Sequence, residues 1–377
     1  MSATKKRTIE AFFGTPKPSI AGASTTPTKK PRASPATAAD GRGHGVIKSE
    51  NLEDEADHYS RHPTYPFPIA HLPAALSGEV PSLPSSIGRS MTDQPDLDLL
   101  YFEPYIPRSS ARQLFEFLRA SLPFYRVEYD INRGGISTHI RTPRWTTVFG
   151  LDETGRFVPS SSSPSSITTT SETSGNSGAT DVIDAKTSGK IVGDRYYDRY
   201  PPRPIPQCLD ELRKSCEAAT GCEFNFCLVN YYASGSDSIS FHSDDERFLG
   251  PLPAIASFSL GARRDFMMKH KPPPKSVAQK PESGGGEDGT ESKPIKLPLG
   301  SGDMILMRGT TQANWLHSLP KRTGKNAEDG GRINITFRRA MVKEGTENYY
   351  NYNVGTGPVY RWDAINREMR IWEKPTS

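Results

Sequence analysis

The sequence predicts a mainly β fold of the α+β class, a double-stranded β-helix (jelly roll) with flanking helices. Three observations carry this. Short segments with period-two apolar alternation recur between residues 96 and 343, Gly- and Ser-rich turns separate them, and helical spacing is confined to a few stretches.

With 377 residues, a net charge of +4 and no long apolar run, the chain suits one large soluble domain with tails. We expect no membrane segment, and no secretory leader, because the basic N-terminus lacks an apolar core segment. A charge of this size does not by itself indicate nucleic acid. Cys208, Cys216, Cys222 and Cys227 lie close together without a Cys-x-x-Cys pair, so reduced intracellular thiols are a better reading than a zinc site.

Residues 1–95 are rich in Pro, Ser, Thr and Ala without periodicity and are expected to be mostly disordered. One island there, residues 6–13, sets Ile9 three residues before Phe12 and Phe13, so a single helical turn would join them into an apolar plug. From Asp96 the composition changes. Leu97 and Leu99 to Phe102 read as an entering strand, and Ser109 or Ser110 is expected to cap a helix with Leu114, Phe115, Leu118 and Leu122 on one face. Strand-like pieces follow from Val127 to Gly150, broken at Gly134-Gly135. Residues 159–190 are a Ser/Thr/Gly tract read as a flexible insertion, and residues 272–292 are a second one. Between them, Leu209, Leu212, Cys216 and Ala219 fall at helical spacing, closed by Gly221. Residues 344–377 form an aromatic extension, in which Asp363 is expected to cap a helix carrying Ile365, Met369 and Trp372, docked on the barrel.

The chemistry concentrates in Phe224 to Glu246 and in Arg332 to Arg338. The first alternates as a half-buried strand, with Phe224, Phe226, Leu228, Asn230 and Tyr232 on one face. After a Ser/Gly turn, a second strand sets His242 and Asp244 two residues apart on one side, a chelating spacing. His317 lies far downstream on an apolar background. Together the three supply a two-histidine, one-carboxylate set of the kind that holds non-haem Fe(II). In the second stretch Arg332, Asn334, Thr336 and Arg338 share a face opposite Ile333, Ile335 and Phe337. Two inward guanidinium groups require an anionic partner, and a small dicarboxylic acid matches their fork geometry.

These residues resemble the AlkB family of Fe(II)- and 2-oxoglutarate-dependent dioxygenases. The resemblance rests on Asn230-x-Tyr232, His242-x-Asp244-Asp245-Glu246, residues 256–261, Arg264-Asp265-Phe266, His317 and Arg332-x-Asn334-x-Thr336-x-Arg338, and it spans about residues 98–343. Within the family, residues 242–246 and Thr311-Gln312-Ala313-Asn314-Trp315 are most similar to the branch that repairs alkylated nucleic acid. The resemblance implies Fe(II) on His242, Asp244 and His317, and 2-oxoglutarate paired with Arg332 and Arg338 and supported by Asn230, Tyr232, Asn334 and Thr336. O2 would be the oxidant, succinate and formaldehyde the products, and DNA carrying 1-methyladenine or 3-methylcytosine the substrate, with RNA or protein as the alternative and a non-catalytic binding module as a further one.

It also implies an N-terminal nucleotide-recognition lid that places Arg144 and Phe149 near substrate. Arg144 reads equally as a phosphate or base contact and as a structural ion pair, and Phe149 reads also as core. Tyr197 or Tyr196 would stack on an extruded base, Asp245 would accept from an exocyclic amine, and Glu246 would orient it or neutralise Arg247. The plug of Ile9, Phe12 and Phe13 resembles the motif that binds the replication sliding clamp PCNA, with Lys6 where that motif usually has Gln. With Lys5-Lys6-Arg7 and Lys29-Lys30-Pro31-Arg32, it suggests a nuclear protein that acts on DNA.

Overall fold

The structure is a computed structural model that describes residues 58–159, 180–191, 197, 200–272, 292–322 and 331–375. Residues 6–13 with the plug of Ile9, Phe12 and Phe13, the basic pieces and Tyr196 lie outside the described residues. Among the described residues no helix is long and apolar enough to cross a membrane.

The architecture is mainly β, with a large antiparallel sheet and few helices. Its ten-stranded sheet has at its centre, in spatial order, Trp145–Gly150, Phe226–Tyr232, Arg332–Arg338, Ile255–Gly261, Met304–Met307 and Leu99–Phe102. A second sheet has four strands in the order Ile239–His242, Trp315–Leu319, Arg264–His270, Ile295–Leu299.

Alternation along the central strands decides what each face meets. Val229, Tyr231, Ile333, Ile335, Phe337, Phe258 and Leu260 point into a core shared with the helices Arg108–Ser121 and Gln207–Thr220. On the other face Phe226, Leu228, Ile255, Ile305 and Met307 pack with Phe266, Met268, Leu297, Leu299 and Trp315 of the smaller sheet. The polar residues between those apolar ones therefore open between the two sheets, and this is where the site forms. The helix Gln207–Thr220 ends as expected, with Gly221 at φ 68° accommodating the left-handed turn. The helix Arg108–Ser121 starts two or three residues earlier than expected, with Pro107 rather than Ser109 or Ser110 at its cap. Pro107 makes no side-chain cap hydrogen bond, so this helix begins without the hydroxyl cap the sequence suggested.

Three expectations need correction. Residues 58–95 are not a disordered tail: Tyr59–Ser60 pairs with Ile69–Ala70, Ala74–Glu79 is helical, and Arg89–Met91 lies at the edge of the large sheet. Tyr65, Ile69, Leu72 and Leu76 give this Pro-rich stretch enough buried apolar surface to order it. The Ser/Thr/Gly tract is bordered by structure, since Thr180–Asp184 pairs antiparallel with Gly155–Pro159. Finally, residues 363–372 are not a helix. Val359–Asp363 and Glu368–Ile371 form an antiparallel hairpin with Trp362 opposite Met369, and Ile365 at its turn is 93% exposed. Asp363 Oδ1 accepts from the backbone N–H groups of Ile365 and Asn366, closing a turn instead of capping a helix. The helix of this region lies earlier, at Thr346–Asn353.

Candidate active site

Two of the three metal ligands are placed by strand register. His242 ends one strand and is the direct antiparallel partner of His317, and their ring centroids are 4.2 Å apart. Directly opposite residues in such a ladder bring their side chains together on one face. Asp244 follows on an irregular segment and sends Oδ1 to 3.8 Å from His242 Nε2 and Oδ2 to 3.9 Å from His317 Nε2. One donor atom from each residue lies within 4.8 Å of the others. His242 Nδ1 donates to the Ser240 carbonyl at 2.8 Å, which leaves the Nε2 lone pair turned to the cluster. Phe266 stacks on the His317 ring at 5.3 Å and fixes its plane.

The electrostatics suit a cation. Burial drives His242 below its ordinary pKa, and burial, then His242, pulls His317 down to about 3, so both imidazoles are neutral donors. Burial works against the Asp244 charge, but the Arg338 guanidinium and its hydrogen bond outweigh it and hold the carboxyl well below the usual carboxylate range. Two neutral imidazoles and a carboxylate on one side of an ion form an iron-binding triad, and they leave its other positions open.

Arg332 and Arg338 are 2% exposed each and sit on the site face, as the alternation predicts. Arg332 donates to Ser259 Oγ at 2.7 Å and lies over the Tyr232 ring, with its CZ 5.6 Å from the centroid. Burial lowers its pKa to about 10. Arg338 donates to Asp244 Oδ2 at 2.9 Å and to the Tyr349 hydroxyl. Nε of both arginines is buried with no hydrogen-bond partner. Buried donors without an acceptor are costly, so these two atoms fit a dicarboxylate such as 2-oxoglutarate. Asn230 and Asn334 are register partners, and Asn334 lies between the two arginines along their strand. Asn334 Nδ2 donates to Ser257 Oγ and the Phe258 carbonyl, and Thr336 donates to the Leu228 carbonyl at 3.1 Å, so both are tied into the sheet.

The residues expected near the nucleobase fare unevenly. Arg144 Nε donates to Asn230 Oδ1 at 2.9 Å. Because a guanidinium can only donate, this also fixes which end of the Asn230 amide faces it. Asp245 turns outward, away from Asp244, and its Oδ2 takes Lys271 Nζ at 3.1 Å. Glu246 stays inside: burial, then Asp244, pushes its carboxyl up to about 8, and Oε2 has no partner. Tyr197 donates to Asp152 Oδ2 at 2.5 Å, with Lys343 5.9 Å over its ring. Phe149 is a correction. It is fully buried opposite Cys227, on the helix-covered face, and meets Tyr65 edge-on at 6.0 Å. Its position one strand residue out of phase with Asn230's neighbours sends it away from the site.

Sequence reading missed Tyr349, Gln312 and the serines 257 and 259 as parts of this site. The serines were legible in the Ala256–Gly261 motif by their alternation with Ala256, Phe258 and Leu260. Tyr349 carries no such signal, because only the helix Thr346–Asn353 folding back brings it to Arg338.

Comparison with known proteins agrees with this geometry. The model of the 2OG-Fe(II) oxygenase superfamily matches residues 98–338. The rat protein named alpha-ketoglutarate-dependent dioxygenase alkB homolog 3 is 41% identical over 145 residues, covering 38% of this chain and 45% of the relative. Proteins named DNA oxidative demethylase ALKBH2 are 38% identical over 154 residues in Arabidopsis thaliana, 38% of this chain and 45% of the relative, and 38% over 141 in Homo sapiens, 37% and 49%. The chain thus spans about half the length of the curated relatives it matches. Its triad, its buried arginine pair and the span of the family match together place the chain in the 2OG-Fe(II) oxygenase superfamily, beside the AlkB homologues.

Proposed function

We propose that this chain is an Fe(II)- and 2-oxoglutarate-dependent oxidative demethylase of N-alkylated bases, 1-methyladenine and 3-methylcytosine, in DNA. The observation that carries the reading is the His242, Asp244 and His317 triad in contact with the buried Arg338, with the buried Arg332 on the same face of that strand and Nε unpartnered on both. The Arabidopsis and human relatives named DNA oxidative demethylase support DNA as the substrate class. In this reading the two facing sheets are the halves of a jelly roll, and the hairpin of Glu128–Arg133 with Ile136–Arg141 belongs to the nucleotide-recognition lid.

His242, Asp244 and His317 would hold the metal, and Arg332 and Arg338 would bind the carboxylates of the co-substrate. Bound there, iron(II) with 2-oxoglutarate and O2 supplies the oxidation that hydroxylates an N-methyl group, with succinate and CO2 leaving. The resulting N-hydroxymethyl group would lose its hydroxyl proton as the N–C bond breaks, leaving as formaldehyde and freeing the base. Asp245 keeps Oδ1 available beside its Lys271 pair and serves as acceptor for an exocyclic amine. Carboxylates at the mouth also favour the positive charge of a ring-methylated base. Arg144 and Tyr197 remain the proposed contacts on the nucleic-acid side, and the motif of Ile9, Phe12 and Phe13 the proposed contact with PCNA in the nucleus.

The test is a competition of methylated single-stranded DNA, duplex DNA and RNA for the iron-loaded protein, read as formaldehyde release. Preferential release from DNA supports the proposal. Preferential release from RNA would move the substrate to the alternative class, and no release from any of the three would contradict it.

A further inference from the structure

We propose that Gln312 and Lys271 are positioning residues for the metal, bracing the Asp244 segment against the segment that carries His317. The proposal rests on the triad binding a divalent ion. His242 and His317 are fixed by the strand ladder, whereas Asp244 lies past the end of its strand, where residues 243–246 have no regular structure. Something else must hold its backbone. The Asp244 N–H donates to Gln312 Oε1 at 2.9 Å, inside the protein. Gln312 is 1% exposed and sits in the turn Thr311–Asn314, which runs directly into the strand Trp315–Leu319 with His317.

The choice of glutamine is informative. Among the described residues its Nε2 meets only the Met307 sulfur, at 3.3 Å, which is a weak acceptor. Burying a carboxamide for packing alone is unfavourable next to Met or Leu of similar volume. The Asp244 N–H is the strong partner that accounts for it. Lys271 adds a second tie at the same place. Its Nζ donates to the Gln312 carbonyl at 3.0 Å and to Asp245 Oδ2 at 3.1 Å, while its backbone N–H donates to the Asn314 carbonyl at 2.6 Å. Three segments distant in sequence, at 244–245, 271 and 312–314, are thereby joined behind the carboxylate ligand.

The brace predicts weaker metal binding when either tie is cut. Mn(II) affinity of the metal-free full chain, read from the electron paramagnetic resonance signal of free Mn(II), tests this without turnover. Gln312→Met should weaken binding about 10- to 100-fold, the usual effect of losing a residue that orients a ligand. Gln312→Asn, polar but one methylene too short, should do the same and serves if the Met variant does not fold. Either variant, folded and within twofold of wild type, would overturn the assignment of Gln312. Lys271→Met separates bracing from charge. Removing a cation near the site should tighten Mn(II) binding by Coulomb repulsion relieved, whereas the brace predicts weaker binding; tighter or unchanged binding would overturn the role of Lys271. If the wild-type chain itself binds no Mn(II), the metal centre fails and not the brace.

Discussion

His242 and His317 are register partners on neighbouring antiparallel strands, and that single pairing turns two residues 75 positions apart into one half of a chelating site. Asp244 completes the site from outside the ladder, where it also neutralises the buried Arg338. The same carboxylate therefore serves the metal and the fold, and the two roles can be separated by mutation.

Asp244→Ala should abolish iron-dependent turnover and also destabilise the metal-free protein, because it strands a 2% exposed guanidinium. Breaking one side of a buried pair costs about 3–5 kcal/mol. The double variant Asp244→Ala with Arg338→Met should recover part of that loss in a denaturant titration. Additive losses would show that the two groups are not coupled.

Arg332→Lys should raise the KM for 2-oxoglutarate at least tenfold while leaving Mn(II) affinity within about twofold, since one ammonium cannot reproduce a planar fork. Arg332 is joined to Ser259 and not to the triad, so the two readouts separate. An unchanged KM would remove Arg332 from the co-substrate site.

The strands Phe226–Tyr232 and Arg332–Arg338 were legible because their period-two alternation assigns every residue a face, and the inward arginines followed from it. The triad was legible from residue type, although Asp244 needed more than the alternation, since it lies off the strand. Phe149 was set near substrate by the family resemblance, with core as the other reading, and its register against Cys227 sets it in the core on the helix side. The C-terminal hairpin was read as a helix because Ile365, Met369 and Trp372 fit helical spacing when no partner strand is known. Tyr349 reaches the site only through tertiary folding, and although Gln312 stands in the family-like stretch Thr311–Trp315, nothing local announces its contact with Asp244.

Phe149→Ala should cost about 3–5 kcal/mol of stability, the range for emptying a buried aromatic site. At temperatures where the variant stays folded, its KM for methylated DNA should match the wild type. A selective rise in that KM with unchanged stability would restore Phe149 to the substrate surface.

Burial, then Arg203, lowers His62 to about 4 in the folded chain, against 6.5 for the free side chain. Between those values the unfolded chain holds a proton that the folded chain does not. Stability linked to His62 is therefore complete above about pH 6.5 and lost as pH falls towards 4. His62→Gln should flatten the acid limb of a melting-temperature profile over that window, and an identical limb would show that His62 does not govern it.

The most direct test of the central claim is to load the chain with Fe(II), add 2-oxoglutarate and single-stranded DNA carrying 1-methyladenine under air, and quantify both products. The account predicts formaldehyde and succinate in equal amounts, both lost in His317→Ala. Succinate that is independent of His317, or methylated DNA left intact by a protein that binds both iron and co-substrate, would contradict it.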